Sequence, residues 1–521
     1  MFDSIKQSAL YQEMSLRLLF IGSFVSLGAM GFGYDNGWWG GALDLQPFGK
    51  QYGEWDAADK QWSIPSVKQS AGTGTGSAGI IIGCLVAPWL CQNLGRKPTL
   101  LVMAGMLTVG CVLEATAVTS FWQLVVGRIV VYSGIGLASN VVPMYQSECA
   151  PPRIRGAFLT AYSFWNTFGG FIATLVVFLC QQLATKWAYL TPIICQLLVP
   201  LGIICSYSFL PETPRYLVYR GRFQEAEAAI KELYGPEYNA TEEVQLLQLQ
   251  VEEQRELHKA TSVLDCFRGT NFRRTVIAAG VQILQQAQGI SFINNFLVTF
   301  MSQLGFSDPL KYNVIVFACG LLANIISFYT FDKLGRRSTM FWGAFVMGAM
   351  MLGVGGTTAN GYNVLSPTTQ NGCIAMLVLW YFFYCLSWGP GAWILGGEIG
   401  TGQLREKTLL LSSLGSFVTS VPINFVNPYV QAQIGGRTAC IYGSFSVASM
   451  VFVYLLLPET KGRSLEELDE MFQQQVSTRK FRNHVCTGLG AQIRQLENKE
   501  DEPELRNKTQ AIEHVEVAQV V

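Results

Sequence analysis

Apolar stretches of about twenty residues recur along most of this chain, separated by short polar turns. A helix that crosses a lipid bilayer needs about 20 mainly apolar residues. On that rule the pattern predicts twelve membrane-spanning helices, here called spans 1 to 12, which begin near residues 17, 73, 99, 121, 156, 188, 272, 309, 339, 373, 407 and 438. We therefore expect an all-α protein that passes repeatedly through the lipid bilayer.

The composition agrees with a membrane protein and excludes other classes. Half of the 521 residues are hydrophobic and 14% are charged, whereas soluble proteins are roughly 25% charged. A net charge of +0 provides no basic surface, so no nucleic-acid partner is expected. The three histidines all lie in polar stretches, which excludes a His-ligated metal site or a serine–histidine pair within the membrane. We expect neither an enzyme nor a bound metal or cofactor.

Basic residues indicate how the chain is oriented in the membrane. The turns after spans 2, 4, 8 and 10 carry Arg96, Lys97, Arg153, Arg155, Lys333, Arg336, Arg337, Arg405 and Lys407. Such short basic loops face the cytosol, so both termini are predicted to be cytosolic. The predicted organisation is a tail (1–16), a six-helix bundle (17–210), a cytosolic loop with short helices (211–271), a second six-helix bundle (272–457) and a C-terminal tail (458–521).

The two predicted bundles share a set of motifs in the same order. Gly95-Arg96-Lys97 recurs as Gly335-Arg336-Arg337, the pair Glu148 and Arg155 as Glu398 and Arg405, and Pro211-Glu212-Thr213 as Pro458-Glu459-Thr460. Internal repeats in a membrane protein predict alternating access, in which two bundles rock about a central site. We interpret the repeated charges as a cytosolic gate, closed by salt bridges between the bundles, that comprises Arg96, Glu148, Arg155, Arg336, Glu398 and Arg405. Taken singly, each arginine is better explained as a topology signal or as a side chain that snorkels to the interface.

Ionisable residues within the spans are few, which makes each a candidate functional group. Asp35 in span 1 and Arg128 in span 4 lie at matching depths, about 9 and 10 Å below the outer surface at 1.5 Å per residue. An ionised Asp35 pairs with Arg128, and a protonated one releases it, which is a physical mechanism for proton coupling. The alternative is a static ion pair that fixes helix packing. Glu114 in span 3 lies nearer the interface, where we expect it to snorkel or to line a polar path.

The polar side chains of spans 7, 10 and 11 predict the kind of ligand. Span 7 reads VQILQQAQGISFINNF, which contains more amides than helix packing requires. Amides both donate and accept hydrogen bonds, and an aromatic ring suits the C–H face of a sugar, so an uncharged sugar or polyol is expected. The candidate ligands are Gln285, Gln286, Ser291, Asn295, Trp393 and Asn424, together with Ser163 of span 5.

Several motifs together resemble the sugar porters of the major facilitator superfamily, and in particular the fungal sugar permeases. They are GRKPTL, ECAPPRIRG, PETPR, the QQ…G run, DKLGRRS, GPGAWILGGE and PETKGRSLEEL. The resemblance implies the major facilitator fold and a sugar transporter of the plasma membrane, often a proton symporter. Carried over by position, it assigns sugar binding to Gln285, Gln286, Trp393 and Asn424, with Asn427 as an alternative, and proton coupling to Asp35 and Arg128.

Three positions depart from the hexose-carrier pattern of that family. Ser163, Ser291 and Gly320 stand where hexose carriers have longer amide side chains, so we expect a roomier cavity, with Asn166 or Asn324 as compensating groups. The run Ser291-Phe292-Ile293 resembles the α-glucoside permeases. The substrate is left open between a hexose and an α-glucoside, with a polyol or a glycosylated metabolite as further alternatives. An uncoupled facilitator, an exporter and a non-transporting sugar receptor are the alternatives to a symporter.

Overall fold

The computed structural model describes residues 16–56, 61–150, 155–235, 238–260, 262–359, 366–400, 404–463 and 465–486. Over these residues the twelve predicted spans are present. In the first half they are Leu16–Val25 with Leu27–Ala42, Ser66–Asn93, Arg96–Thr116, Phe121–Cys149, Arg155–Cys180, and Trp187–Gln196 with Leu198–Ser206. In the second half they are Gly269–Ala287 with Ile290–Gln303, Pro309–Leu334, Arg336–Thr357, Pro367–Phe383 with Gly389–Ile399, Arg405–Ile434, and Thr438–Leu455.

Length and apolar composition alone identify 10 candidate membrane crossings in the described chain. One of them, Lys407–Leu455, is 49 residues long and contains both span 11 and span 12. Span 1, which is divided at Ser26 into helices of 10 and 16 residues, is not in that set. The twelve-span prediction and the ten candidates therefore describe the same architecture.

Span 2 begins at Ser66, seven residues before the predicted start, so its Gly/Thr run is helical. Packing against neighbouring spans explains this. Gly72 lies against the indole of Trp39, and Gly74 lies against the ring of Phe425. Small residues let helices approach closely in a membrane, where van der Waals contact between helices drives association.

Two spans of the second half are interrupted near their middle. Span 7 breaks at Gly289, whose φ of 106° lies in the left-handed region that favours glycine. Span 10 contains a π-helical turn, Tyr384–Trp388, immediately before Gly389 and Pro390. Proline has no amide hydrogen, so the helix ladder is not regular there. Span 11 is continuous in spite of its two internal prolines.

The two ends of the bundle carry different peripheral elements. At one end, here called the hairpin face, a short helix Gln46–Tyr52 precedes strands β1 (Glu54–Asp56) and β2 (Gln61–Ser63), which pair antiparallel with Trp55 opposite Trp62. At the other end, called the basic face, lie the arginine-rich turns, the helices Pro214–Tyr219, Phe223–Tyr234, Ala240–Ala260 and Leu465–Gln473, and the 3₁₀ turns Tyr207–Phe209, Val263–Phe267 and Thr478–Asn483. The helix and strands of the hairpin face were not predicted.

The two six-helix bundles meet along spans 2 and 11, spans 5 and 8, and spans 1 and 7. At the hairpin face Gly40 of span 1 lies against the backbone of Asn294 in span 7, and Gly41 lies against Leu310 of span 8. The bundles are therefore in close contact at that end. The polar residues of the candidate site lie deeper, between these spans.

Candidate substrate cavity and buried ion pair

A cavity between the two bundles collects the polar residues that the sequence singled out. All seven predicted ligands line it: Ser163, Gln285, Gln286, Ser291, Asn295, Trp393 and Asn424. The structure thus brings together residues of spans 5, 7, 10 and 11. Their role as sugar ligands stays a prediction.

Several residues of this cavity were not predicted as ligands. They include the aromatic side chains of Phe32, Tyr162, Tyr381, Tyr384 and Phe417, and the polar side chains of Asn36, Ser77 and Thr167. The tyrosines of span 10 occur in the run YFFYC, where a helix that faces lipid and one that faces a cavity have the same apolar pattern. Only the packing of the bundles distinguishes the two.

The break in span 7 and the π-helical turn of span 10 are joined by Gln285. Its Nε2 donates hydrogen bonds to the carbonyl oxygens of Trp388, at 2.9 Å, and Gly389, at 3.1 Å. The amide of Gln285 thus bonds two backbone carbonyls at the end of the π turn, and it fixes span 10 to span 7 at the cavity.

The neighbouring Gln286 is held from two sides. Its Nε2 donates to the hydroxyl of Ser416 in span 11 at 3.0 Å, and its Oε1 accepts from Ser291 at 3.3 Å. Asn295 donates to the backbone oxygen of Ser291 at 3.1 Å, and its own Oδ1 has no hydrogen-bond partner. The amides are thus oriented before a ligand binds, which lowers the entropy cost of binding.

Two groups of hydrogen bonds cross from one bundle to the other within the cavity. Ser163 of span 5 donates to Asn324 Oδ1 of span 8 at 3.1 Å, and Asn324 Nδ2 donates to Thr167 at 2.8 Å. Asn424 of span 11 donates to Ser77 of span 2 at 2.8 Å. Candidate ligands therefore also connect the two bundles that would move relative to each other.

The departure at Gly320 has a steric reason. A Cβ atom at this position would collide with the ring of Tyr381, which lines the cavity. Asn324, one helical turn further along span 8, carries the amide instead. Of the two compensating groups that the sequence suggested, Asn324 bonds Ser163 directly, and Asn166 lines the same cavity.

The predicted pair of Asp35 and Arg128 forms an ion pair in the interior of the first bundle. Arg128 Nη2 lies 3.2 Å from Asp35 Oδ2, and both side chains are 0% exposed. The indole N–H of Trp38 at 3.1 Å and the amide of Gln196 at 3.2 Å donate to Asp35 Oδ1. The guanidinium lies over the ring of Trp39, 4.0 Å from its centroid. A buried charge that loses such partners costs several kcal/mol. The charge of Arg128 therefore depends on an ionised Asp35 for its stability in the interior, and the reverse also holds.

A short chain of hydrogen bonds leads from this ion pair to the cavity. Arg128 Nη2 donates to the hydroxyl of Tyr132, which in turn donates to Asn36 Oδ1, both at 3.0 Å. Tyr132 and Asn36 both line the cavity. A change in the position of Arg128 would therefore alter the cavity wall directly.

Glu114 is buried inside the first bundle, near the end of span 3. Its side chain is 1% exposed. The expectation that it snorkels is wrong, because spans 3 and 4 cross closely beside it and bury its side chain. In the sequence, only the glycines at 110 and 127 indicate this crossing.

The described residues of the predicted gate form ion pairs within each bundle. Arg96 Nη2 lies 2.8 Å from Glu148 Oε1 in the first bundle, and Arg336 Nη2 lies 3.1 Å from Glu398 Oε1 in the second. Bridges between the bundles stay a prediction. The side chains of Arg155 and Arg405 lie outside the described residues.

The glutamate of each repeated Pro-Glu-Thr motif binds the start of the span that carries the arginine of the ion pair. Glu212 accepts hydrogen bonds from the backbone N–H groups of Arg96 and Lys97, at the first turn of span 3. Burial raises the pKa of the Glu212 carboxyl, and these N–H groups and the guanidinium of Arg96 oppose that rise. Glu459 binds the start of span 9 in the same way, through the N–H groups of residues 336 and 337. A carboxylate at a helix N-terminus satisfies donors that have no partner in the helix.

Comparison with known proteins agrees with this architecture. The family model described as "Sugar (and other) transporter" matches residues 22–472. "Major facilitator-type transporter ecdD" of Aspergillus rugulosus is 30% identical over 478 residues, which is 88% of each chain. "Probable glucose transporter rco-3" of Neurospora crassa is 31% identical over 474 residues, 88% of this chain and 79% of that one. The solved structure of the xylose transporter XylE from E. coli in a partially occluded inward-open conformation has a TM-score of 0.72 at 22% identity, covering 86% of this chain and 100% of that one.

Proposed function

The chain belongs to the sugar (and other) transporter family, and we propose that it imports a neutral sugar, a hexose or an α-glucoside, by alternating access coupled to proton symport. Membership of that family makes it a multi-pass membrane protein of the major facilitator superfamily. The substrate, the proton and the membrane in which it works are the parts that we propose.

The chemistry of the cavity supports a neutral, hydroxyl-rich substrate. None of the described residues that line it is an acid, a lysine, an arginine or a histidine. A charged ligand would be left without a counter-ion in that cavity, at a large cost in desolvation. Amides and hydroxyls both donate and accept hydrogen bonds, as sugar hydroxyls do, and the ring of Trp393 offers an apolar face to the C–H surface of a sugar. This uncharged lining is the observation on which the proposal rests.

The proposed proton site is the buried pair of Asp35 and Arg128. When Asp35 is ionised, it balances the charge of Arg128. When it binds a proton, the guanidinium loses its counter-ion and is free to move. Because Arg128 contacts Tyr132, which lines the cavity, protonation and sugar binding would act on the same wall. That link is a physical route from proton binding to transport.

We further propose that the basic face is cytosolic, that both termini lie on that side, and that the protein works in the plasma membrane. The concentration of arginine and lysine in the short turns of that face supports the orientation. The gate would then consist of Arg96, Glu148, Arg336 and Glu398, each pair held within its own bundle, together with Arg155 and Arg405. Closing the cytosolic side would bring two such braced helix ends together.

Uptake in cells that lack their own sugar carriers tests the proposal. We expect labelled glucose or maltose to accumulate above the external concentration, and a protonophore to abolish the accumulation. Asp35→Asn should remove accumulation while sugar exchange at equilibrium continues, because the site then cannot carry the proton. Glu54→Gln, an exposed carboxyl at the hairpin face, is the matched control and should behave as the wild type.

An uncoupled facilitator on the same fold is the principal competing outcome. It would equilibrate sugar without accumulation and without an effect of the protonophore, and Asp35 and Arg128 would then only fix helix packing. Failure to transport either sugar in cells with normal amounts of the protein at the surface would contradict the proposed substrate class.

A further inference from the structure

Glu114 is a buried carboxyl for which the proposed mechanism has no role. Both of its carboxyl oxygens lack a hydrogen-bond partner, although the side chain is 1% exposed. Its position follows from a close crossing of spans 3 and 4, where Gly110 and Gly127 face each other. A Cβ atom at Gly127 would lie 2.7 Å from the Cγ of Glu114, so the side chain is pressed against span 4 beside Arg128.

The charged groups that face Glu114, among the described residues, are Asp35 and Arg128. Tyr132 of span 4 and Cys111 of its own helix complete the titratable groups around it. Asp35 and Arg128 together are neutral, so an ionised Glu114 would leave one unbalanced negative charge in the interior, and its oxygens have no hydrogen-bond partner in this arrangement. Such a charge costs many kcal/mol, and a carboxyl in that position holds a proton instead.

One of the two terminal nitrogens of the Arg128 guanidinium has no hydrogen-bond partner. Its Nη2 contacts Asp35 and Tyr132, whereas its Nη1 is buried without a partner. Two carboxyls therefore lie near one guanidinium, of which Nη2 is paired and Nη1 is not. The unpaired oxygens of Glu114 and the unpaired Nη1 of Arg128 are complementary in charge and hydrogen bonding.

We propose that Glu114 and Asp35 form a proton site of two carboxyls that share Arg128, with one proton between them. In the present structure Asp35 is ionised and paired, and Glu114 carries the proton. During transport the O–H bond of Glu114 breaks and one forms on Asp35, and the negative charge moves to Glu114, where Nη1 of Arg128 meets it. The number of protons and the total charge of the cluster stay constant in this step. Asp35 then releases its proton toward the basic face, and Glu114 takes up another from the hairpin face, which returns the cluster to its first state.

The position of Glu114 along span 3 fits a role in proton entry. It lies two residues before the end of its helix at Thr116, about 3 Å along the axis, whereas Asp35 lies seven residues, or about 10 Å, before the end of its helix at Ala42. Both ends belong to the hairpin face. The carbonyl of Ala117, just beyond Glu114, accepts a 2.6 Å hydrogen bond from Tyr52 of the short helix that covers this end. A proton that enters from the hairpin face therefore reaches Glu114 before Asp35.

Infrared spectroscopy of the purified full-length protein tests the protonation state without transport. We expect the wild type at pH 8, where Asp44 is ionised, to show the carbonyl stretch of a protonated carboxylic acid, and Glu114→Gln to remove it. Asp35→Asn should also remove it, because Glu114 then ionises to balance Arg128. Glu54→Gln, which is exposed, should leave the band in place. A band that survives in Glu114→Gln, or a wild type without one, overturns the inference.

The transport role of Glu114 rests on the proposed symport, and sugar-driven proton influx separates the two. If the wild type moves protons with glucose or maltose, Glu114→Gln should abolish the influx while sugar exchange continues, and Glu114→Asp should restore part of it. Unchanged influx in Glu114→Gln overturns this role and leaves the symport intact. A wild type that transports sugar without protons overturns the symport, and the infrared result still decides the protonation of Glu114. Size-exclusion profiles and melting temperatures confirm that each variant is folded.

Discussion

Replacing Gln286 with alanine removes an amide that the structure holds ready at the cavity. The side chain is oriented by Ser416 and Ser291, and its remaining donor and acceptor capacity faces the cavity. If the amide makes two hydrogen bonds to sugar hydroxyls, each worth about 0.5–1.5 kcal/mol, the loss is about 1–3 kcal/mol. That corresponds to binding that is about 5- to 150-fold weaker.

Ser416→Ala separates orientation from contact. Ser416 is buried behind Gln286 and is not part of the cavity wall, so its removal leaves the amide in place but less ordered. Fixing one flexible side chain on binding costs about 0.5–1 kcal/mol, the lower part of the range found at interfaces. The loss of Ser416 therefore predicts sugar binding about 2- to 5-fold weaker. Ser412→Ala is the matched control, because that hydroxyl donates only to Leu409 of its own helix at 2.8 Å.

Calorimetric titration of the purified protein with glucose and with maltose measures these affinities, and melting temperatures report whether the variants fold. The expected order of affinity is wild type and Ser412→Ala, then Ser416→Ala, then Gln286→Ala. An affinity of Gln286→Ala equal to that of the wild type, for the sugar that binds, would show that the amide does not contact the ligand. An effect of Ser412→Ala as large as that of Ser416→Ala would attribute both to helix packing.

Three further predictions follow from other contacts. Asn424→Ala and Ser77→Ala remove the same hydrogen bond between the bundles, so in a double-mutant cycle on glucose exchange the effect of the double variant should be smaller than the sum of the two single effects; additive effects would contradict a direct link. Glu459→Gln weakens two charge-assisted bonds at the start of span 9 and should lower the melting temperature, as Glu212→Gln should in the first bundle, and unchanged melting in both would mean that the carboxylates do not brace these helices. Burial raises the pKa of Asp44 at the hairpin face to about 6, so the proton binds more tightly while that face is closed; closure should be favoured below pH 6 and lost as the pH rises through it. Asp44→Asn should remove that dependence of glucose exchange on external pH, and a persistent dependence would place its origin elsewhere.

The spans and the repeat could be predicted because both leave local marks on the sequence. Twenty apolar residues in succession are what a bilayer requires, and the motifs around Arg96 and Arg336 are identical in order and similar in spacing. The start of span 2 was predicted too late because its glycines and threonines look polar and flexible. Their helix is stabilised by the rings of Trp39 and Phe425, which come from other parts of the chain.

The residues of the candidate site could be predicted where a polar side chain is itself unusual within a membrane span. They could not be predicted where the role of a residue depends on which other residues pack against it. The amides of span 7 stand out in any apolar sequence, and they do line one cavity. The burial of Glu114 and the collision that excludes a side chain at Gly320 depend on how two helices cross. The partners of Arg96 and Arg336 likewise depend on which helix ends are neighbours within a bundle. Sequence spacing contains no direct record of such distances.

The π-helical turn at Tyr384–Trp388 makes the cavity sensitive to the length of the chain as well as to its residues. A π turn holds one residue more than an α turn, as a single inserted residue would produce. Deleting one residue there would restore a regular helical turn, and the helix beyond it would keep nearly the same orientation, because the wider turn is what absorbs the extra residue. Trp393 would stay at the cavity wall, but the carbonyls of Trp388 and Gly389, to which Gln285 donates, would change position. Relatives that differ by one residue in this turn would therefore present different backbone acceptors to Gln285, even where every side chain of span 10 is the same.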